Sequence, residues 1–363
     1  MSSRVPVAVV GASGYAGAEL LRLLARHPRV EIAAVAARRA AGQRLPDVFP
    51  HFTGRLDVEV EAFDADAIAG RARVAFSALP HGESAAVVAA LRARGVVALD
   101  LSADFRLRDP AAWRAWYGGG EAEHPAAALC AEAVYGLPER HRAELAGAGL
   151  VAVPGCYPTA AVLAIAPLVE RGLVAADGLV VDAKSGASGA GRSPALATHL
   201  PEAGEGVRAY KVAGAHRHTP EIEQELGLAA ARAPGAAAGA GAPAVLFTPH
   251  LVPMSRGILA CVYATPTDAA RPADAYREAL AEAYRGEPFV DVLPAGRLPD
   301  TAFVRGSNRA HVTAVYDARA RRVLAMSAID NLVKGAAGQA IQCMNLALGL
   351  DETVGLEQLP LFP

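Results

Sequence analysis

VPVAVVGASGYAG, residues 5–17, decides the fold. Val5 to Val10 is an unbroken apolar run, Gly11, Gly14 and Gly17 punctuate a turn, and helix formers continue from Tyr15 to about Ala25. A second apolar run, Val30 to Ala37, follows at the spacing a parallel crossover needs. Glycines at such a turn let backbone N–H groups approach a pyrophosphate, which the positive end of the helix then stabilises. Gly11, Ser13, Gly14, Tyr15 and Gly17 are therefore candidate dinucleotide contacts, although the spacing is GxxGxxG rather than GxGxxG. A strand-to-helix turn without a ligand is the other reading of the same residues.

Working outward, further short strands are expected at Val74 to Ala78 and Val96 to Asp100, with a helix between them over Ala85 to Arg94. This alternation predicts an α/β fold, a Rossmann-type doubly wound parallel sheet, over residues 1–155. The second strand ends Ala36-Ala37-Arg38-Arg39, and Glu31 lies too early to reach a ribose hydroxyl. Two arginines and no acid suit a 2′-phosphate, so NADP is expected over NAD, with Arg38 and Arg39 as contacts or as mere surface cover.

After residue 155 the texture changes. Runs at Leu179 to Ala183, Ala244 to Thr248, Ile258 to Ala264, His311 to Tyr316 and Val323 to Ile329 predict an α+β domain over 156–330 with a mostly antiparallel sheet. Ala229 to Pro243 is low in complexity and reads as a surface loop of unassigned role. A helix pattern from Asn331 to Leu348 is expected to return, with the rest of 331–363, to the first domain.

The 363 residues are 53% hydrophobic and 20% charged with net charge −2, so the chain is globular and offers nucleic acid or an anionic membrane no electrostatic attraction. Its four cysteines form no CxxC pair, and MSSRVPVAVV runs straight into a strand without a signal-peptide layout. A reducing cytoplasm is the expected location, with no membrane span.

Cys156 lies in Val153-Pro-Gly-Cys-Tyr-Pro158-Thr159, ahead of an apolar helical run. Pro158 suits a first helical turn, which puts the sulfur at a helix N-terminus, where a thiolate nucleophile is favoured. A buried small hydrophobe is the bland alternative. His216 and His218 precede Thr219-Pro220-Glu221, read as an N-cap, a first-turn proline and an acid suited to the dipole. Imidazole is matched to proton transfer near neutral pH, so the pair is a candidate acid–base group. A metal reading, with His250 as third ligand, lacks an acidic or cysteine partner at ligand spacing, and no metal is expected. Arg106 in SADFR and Arg256 are candidate anion contacts, Arg106 being equally open to pairing with Asp104 or Asp109, and the glycine-rich stretch 184–192 reads as a wrap for an anion or the nicotinamide or as a loop without a ligand.

GASGYAG (11–17), ALPHGES (78–84), SADFR (102–106), VYGLPE (134–139), PGCYPTA (154–160), SGASGAGR (185–192), AHRHTPEI (215–222), SRGI (255–258) and AIDNLVKGAAGQA (328–340) together resemble the N-acetyl-γ-glutamyl-phosphate reductases of arginine biosynthesis. These segments run in order through nearly the whole chain, and the family is similar in architecture to aspartate-semialdehyde and glyceraldehyde-3-phosphate dehydrogenases. The resemblance implies Cys156 as nucleophile, His218 with His216 second for proton transfer, and Ser188, Gly189 and Asn331 near the nicotinamide. It also implies Arg106 near a small acyl-phosphate substrate, and a homo-oligomer, dimer or tetramer. The implied reaction is reductive dephosphorylation of N-acetyl-L-glutamyl 5-phosphate by NADPH through a Cys156 thioester. A reductase of carrier-protein-bound aminoadipyl phosphate in lysine biosynthesis shares this chemistry. A non-catalytic NADP sensor is the alternative of another class, and it has no use for a helix-capped cysteine.

Overall fold

The computed structural model describes residues 4–236 and 241–362, and the chain divides into two compact units. The first comprises Met1–Gly155 with Ala336–Gln358, the second Cys156–Gly335 with Leu359–Pro363.

The first unit is built on six strands: β1 (Val5–Val10), β2 (Val30–Ala36), β3 (Val74–Ser77), β4 (Val97–Asp100), β5 (Val134–Tyr135) and β6 (Leu150–Ala152). They pair in the order β2-β1-β3-β4-β6-β5, all parallel. The expected Rossmann-type sheet is present. The central strands read as unbroken apolar runs because parallel sheets bury both faces: Val7, Ala8, Val9, Val74 and Phe76 are essentially inaccessible. Helix Tyr15–Leu24 joins β1 to β2, and helix Ser84–Arg92 joins β3 to β4. The C-terminal helix Gly338–Ala347 packs on the helices Pro138–Leu145 and Tyr15–Leu24 of this unit. It starts later than its sequence pattern, since Val333–Ala337 forms a π turn first. Strands β5 and β6, of two and three residues, have no counterpart in the sequence reading, being too short to show a period.

The second unit carries a mixed seven-stranded sheet ordered β11-β12-β13-β10-β7-β9-β8, numbered β7 (Val180–Ser185), β8 (Arg208–Ala209), β9 (Leu246–Leu251), β10 (Ile258–Ala264), β11 (Val290–Val292), β12 (Ala310–Asp317) and β13 (Arg322–Ile329). Four of its pairings are antiparallel, while β7 with β9 and β11 with β12 are parallel. The mostly antiparallel sheet is thus present too. The helix Cys156–Glu170 packs across β10 and β13 and is buried almost throughout; the Ser327 hydroxyl donates to the Ala160 carbonyl at 2.7 Å. Helix Thr219–Ala231 packs beside it and takes in the start of the stretch read as a loop over 229–243, where alanine repeats continue the helix. Residues 237–240 of that stretch lie outside the described residues. On the opposite sheet face Leu246 and Val315 are exposed, 56% and 38%. Among the described residues no helix is long and apolar enough to cross a membrane.

Candidate active site

In the first unit the glycine turn is sterically determined. Gly11 has φ +87°, and its N–H donates to the Ala36 carbonyl at 2.8 Å. A Cβ there would lie 2.6 Å from the Ala78 carbonyl carbon and oxygen, and one at Gly17 would lie 2.5 Å from the Gly11 oxygen. Glycine is required at both places for the helix to sit against the strand. Gly14 is different: its nearest neighbour would be an ordinary 3.6 Å away, so internal packing does not demand it. It caps helix Tyr15–Leu24 without a side-chain hydrogen bond, leaving backbone N–H groups at a positive helix end. This cradle fits a dinucleotide pyrophosphate.

Arg38 and Arg39 are exposed beyond β2; Arg38 lies 3.9 Å from the Glu83 carboxylate. The sequence reading missed Glu61, which is brought to the end of β2 by bridging Ala36 and accepting from the Ala37 N–H at 3.0 Å. Its carboxylate is held by Arg71 at 2.6 Å.

Arg106 is buried, with its Nε donating to the Val153 carbonyl and Nη2 to the Leu101 carbonyl, both at 2.8 Å. The Asp104 carboxylate accepts from the Gly82 and Ala85 N–H groups at 2.7 and 2.9 Å, clipping SADFR to the start of helix Ser84–Arg92. Asp100 accepts from the hydroxyls of Ser84 (2.6 Å) and Ser102 (2.7 Å). Burial pushes its carboxyl up to about 6, against the opposing pull of those hydrogen bonds.

In the second unit Cys156 begins its helix half-buried, as the proline pattern predicts. The backbone of Gly335 abuts it: a Cβ at Gly335 would lie 2.7 Å from the Cys156 Cβ. The Tyr157 hydroxyl donates to the His250 carbonyl at 3.3 Å, and the Tyr210 hydroxyl donates to that of Tyr157 at 3.1 Å. Burial, mutual repulsion and the Cys156 charge hold the Tyr157 phenol well above its usual range; burial also pushes Tyr210 up to about 12. Both hydroxyls therefore remain protonated beside the thiol.

His216 and His218 join this cluster, their rings 4.9 Å apart and 5.5 and 6.0 Å from that of Tyr157. His218, not Thr219, occupies the cap position of helix Thr219–Ala231, with αR backbone angles and no capping hydrogen bond from its side chain. Thr219 is already the first helical residue. The His216 Nδ1 accepts from the His218 N–H at 3.1 Å, which leaves its proton on Nε2. Burial first, then Lys211 and Arg217, push its imidazolium down to about 4. The His250 side chain pairs with Asp182, its Nδ1 3.1 Å from the carboxylate, and among the described residues no group of three His, Cys, Asp or Glu side chains is placed to hold a metal ion.

Asn331 gathers two loops. Its Nδ2 donates to the Ser188 hydroxyl at 3.0 Å, and its Oδ1 accepts from the Gly257 N–H at 2.7 Å. A Cβ at Gly189 would meet the Ser185 hydroxyl at 3.2 Å and the Asn331 Nδ2 at 3.7 Å.

Residues 6–148 match the semialdehyde dehydrogenase NAD binding domain family, and residues 156–331 the semialdehyde dehydrogenase dimerisation domain family. An N-acetyl-gamma-glutamyl-phosphate reductase of Desulforudis audaxviator is 49% identical over 359 residues, 99% of this chain and 100% of that protein. The same-named protein of Rhodospirillum rubrum is 51% identical, with 100% of both chains covered. The chain belongs to the N-acetyl-gamma-glutamyl-phosphate reductase family. As a member it is an oxidoreductase with a nicotinamide-dinucleotide-binding domain, which removes the non-catalytic sensor from consideration. Among solved structures, aspartate semialdehyde dehydrogenase II of Vibrio cholerae complexed with ASA shares the fold, with TM-score 0.69 at 17% identity over 96% of this chain and 99% of that one. Aspartate semialdehyde dehydrogenase with NADP from Candida albicans gives 0.64 at 16% identity, over 97% and 100%.

Proposed function

We propose that the chain reduces N-acetyl-L-glutamyl 5-phosphate to N-acetyl-L-glutamate 5-semialdehyde with NADPH, through a Cys156 thioester, as a step of arginine biosynthesis. The observation that carries this reading is Cys156 at the N-terminus of a buried helix, next in the chain to Tyr157, whose ring meets those of both histidines and whose hydroxyl accepts from Tyr210.

The Cys156 thiolate attacks the acyl carbon, and collapse of the oxyanion expels phosphate. Bound NADPH supplies hydride to the thioester carbon. Breakdown of the resulting thiohemiacetal releases the semialdehyde and regenerates the thiolate. N–H groups of the Cys156 helix stabilise both oxyanions. His218 carries the protons. His216 is the weaker candidate because an imidazole titrating near 4 holds its single proton on Nε2 at neutral pH, and its Nδ1 is occupied.

Gly11, Ser13, Gly14, Tyr15 and Gly17 bind the pyrophosphate, and Arg38 and Arg39 the 2′-phosphate. Arg71, by pairing with Glu61, lessens the repulsion that carboxylate would exert on the 2′-phosphate. Ser188, Gly189 and Asn331 contact the nicotinamide. Arg106, oriented by two carbonyls, binds the substrate anion. The chain acts in the cytoplasm as a homo-oligomer, a dimer or tetramer, and the apolar side chains exposed on the sheet face at Leu246 and Val315 support the association.

The test is phosphate-dependent reduction of NADP with N-acetylglutamate semialdehyde, beside Cys156→Ala. Activity that needs phosphate and is lost in the variant is expected. Wild-type protein that binds NADPH but shows no such activity overturns the assignment.

A further inference from the structure

The Asp330 carboxylate is fully buried and has no part in the steps above. Its Oδ2 accepts from the Gly306 N–H at 2.7 Å, and its Oδ1 from the N–H groups of Leu332 and Val333 at 2.8 and 3.1 Å. Arg256 approaches from a third segment, with Nε 3.1 Å from Oδ2 and Nη2 3.1 Å from Oδ1. One carboxylate therefore ties together the Gly306 loop, the Arg256 loop and the turn that begins at Asp330 itself.

That turn ends on the nucleophile. The Gly335 N–H donates to the Asp330 carbonyl at 3.0 Å, and the Gly335 backbone is the surface against which the Cys156 Cβ rests. The residue after Asp330 is Asn331, which holds the Ser188 loop to Gly257. Gly257 directly follows Arg256, so both anchors converge on one junction. All four of these partners, Gly306, Leu332, Val333 and Arg256, present N–H donors to the carboxylate. An ionised carboxylate satisfies all of them, while an amide of the same shape turns a donor against donors.

We propose that Asp330 is a positioning residue for this reaction: it locks the Asp330–Gly335 turn, and thereby fixes the line of approach of the Cys156 thiolate and the placement of Asn331 on Ser188. The proposal rests on the thioester reading given above.

Asp330→Asn, Arg256→Gln and Arg256→Lys in the full chain test it. Three quantities are measured on each folded variant: kcat, the KM for each substrate, and the rate of Cys156 alkylation by iodoacetamide without substrates, located by peptide mass spectrometry. Misplacement of a nucleophile by an ångström costs about 100-fold in rate. Asp330→Asn is expected to lose about that in kcat, to raise the KM for NADPH through Asn331 and Ser188, and to slow alkylation. Arg256→Gln should lose part of both, and Arg256→Lys should recover most of what Gln loses. A folded Asp330→Asn with wild-type kcat and alkylation overturns the proposal. If that variant does not fold, the Arg256 pair decides: Gln indistinguishable from wild type in both readouts overturns it. Alkylation that depends on Asp330, in a wild type that does not turn over the acyl phosphate, sinks the thioester reading and leaves the positioning role standing.

Discussion

Replacing Gly335 by alanine places a methyl carbon 2.7 Å from the Cys156 Cβ, 3.2 Å from its Cα and 3.3 Å from the Ile329 Cδ1. Carbon atoms rest at about 3.5–4.0 Å, so the turn or the helix start must yield by about 1 Å. Gly335 is not among the glycines with positive φ, so alanine is allowed by the backbone and the effect is steric alone. Two routes are open, and each is visible. If the turn recedes, it strains the Asp330 hydrogen bonds; if Cys156 recedes, the nucleophile leaves its line of attack. Overpacking of this kind costs about 1–3 kcal/mol of stability, and an ångström of misplacement about 100-fold in rate. The assay is kcat at saturating substrates beside a thermal melt. Gly335→Ala is expected to melt lower and to lose about 100-fold in kcat while remaining folded at the assay temperature. Wild-type kcat and melting temperature together would refute the reasoning.

The remaining predictions concern the proton, the cofactor and the glycine turn. His216 titrates near 4 when folded, against 6.5 for an ordinary imidazole. As pH falls through that window the unfolded chain takes up the proton first, so the term is fully present above 6.5 and is lost towards 4, at most about 3 kcal/mol. Urea unfolding at neutral and mildly acid pH should show this loss in wild type and not in His216→Gln; the same loss in both would be contrary. Arg38→Ala with Arg39→Ala should raise the KM for NADPH about 10-fold or more and leave that for NADH alone, since charged hydrogen bonds contribute about 1.5–3 kcal/mol. An unchanged KM for NADPH removes the 2′-phosphate assignment. Gly17→Ala puts a Cβ 2.7 Å from the Ala12 Cα. It should weaken NADPH binding, read by cofactor fluorescence, and cost about 1–3 kcal/mol of stability; wild-type affinity counts against the turn as the cradle.

The parallel sheet was legible because strands buried on both faces leave apolar runs: β1 reads that way throughout, β2 beyond Glu31, and β3 and β4 up to their last residues, Ser77 and Asp100. The two-residue strands β5 and β8 were not, because pairing rather than periodicity defines them. Cys156 at a helix start followed from Pro158 and the apolar helical run after it. Placement of His218 at the helix cap did not follow from its sequence, since threonine is the better capping residue and the backbone turned into αR one residue earlier. The meeting of Asn331 with Ser188, and of Asp330 with Arg256 and Gly306, joins segments distant in sequence. An aspartate carries no local sign of whether it will be buried. Glu61 illustrates the same limit, since only the pairing with Ala36 brings it to the end of β2.

The central claim is that the acyl group passes through the Cys156 sulfur. Full-length protein mixed with the acyl phosphate in the absence of NADPH, quenched in acid and digested, should yield the Cys156 peptide heavier by one N-acetylglutamyl group. Hydroxylamine should release that group, as expected of a thioester. An unmodified Cys156 peptide from protein that turns over once NADPH is added, with turnover surviving in Cys156→Ala, would contradict the account.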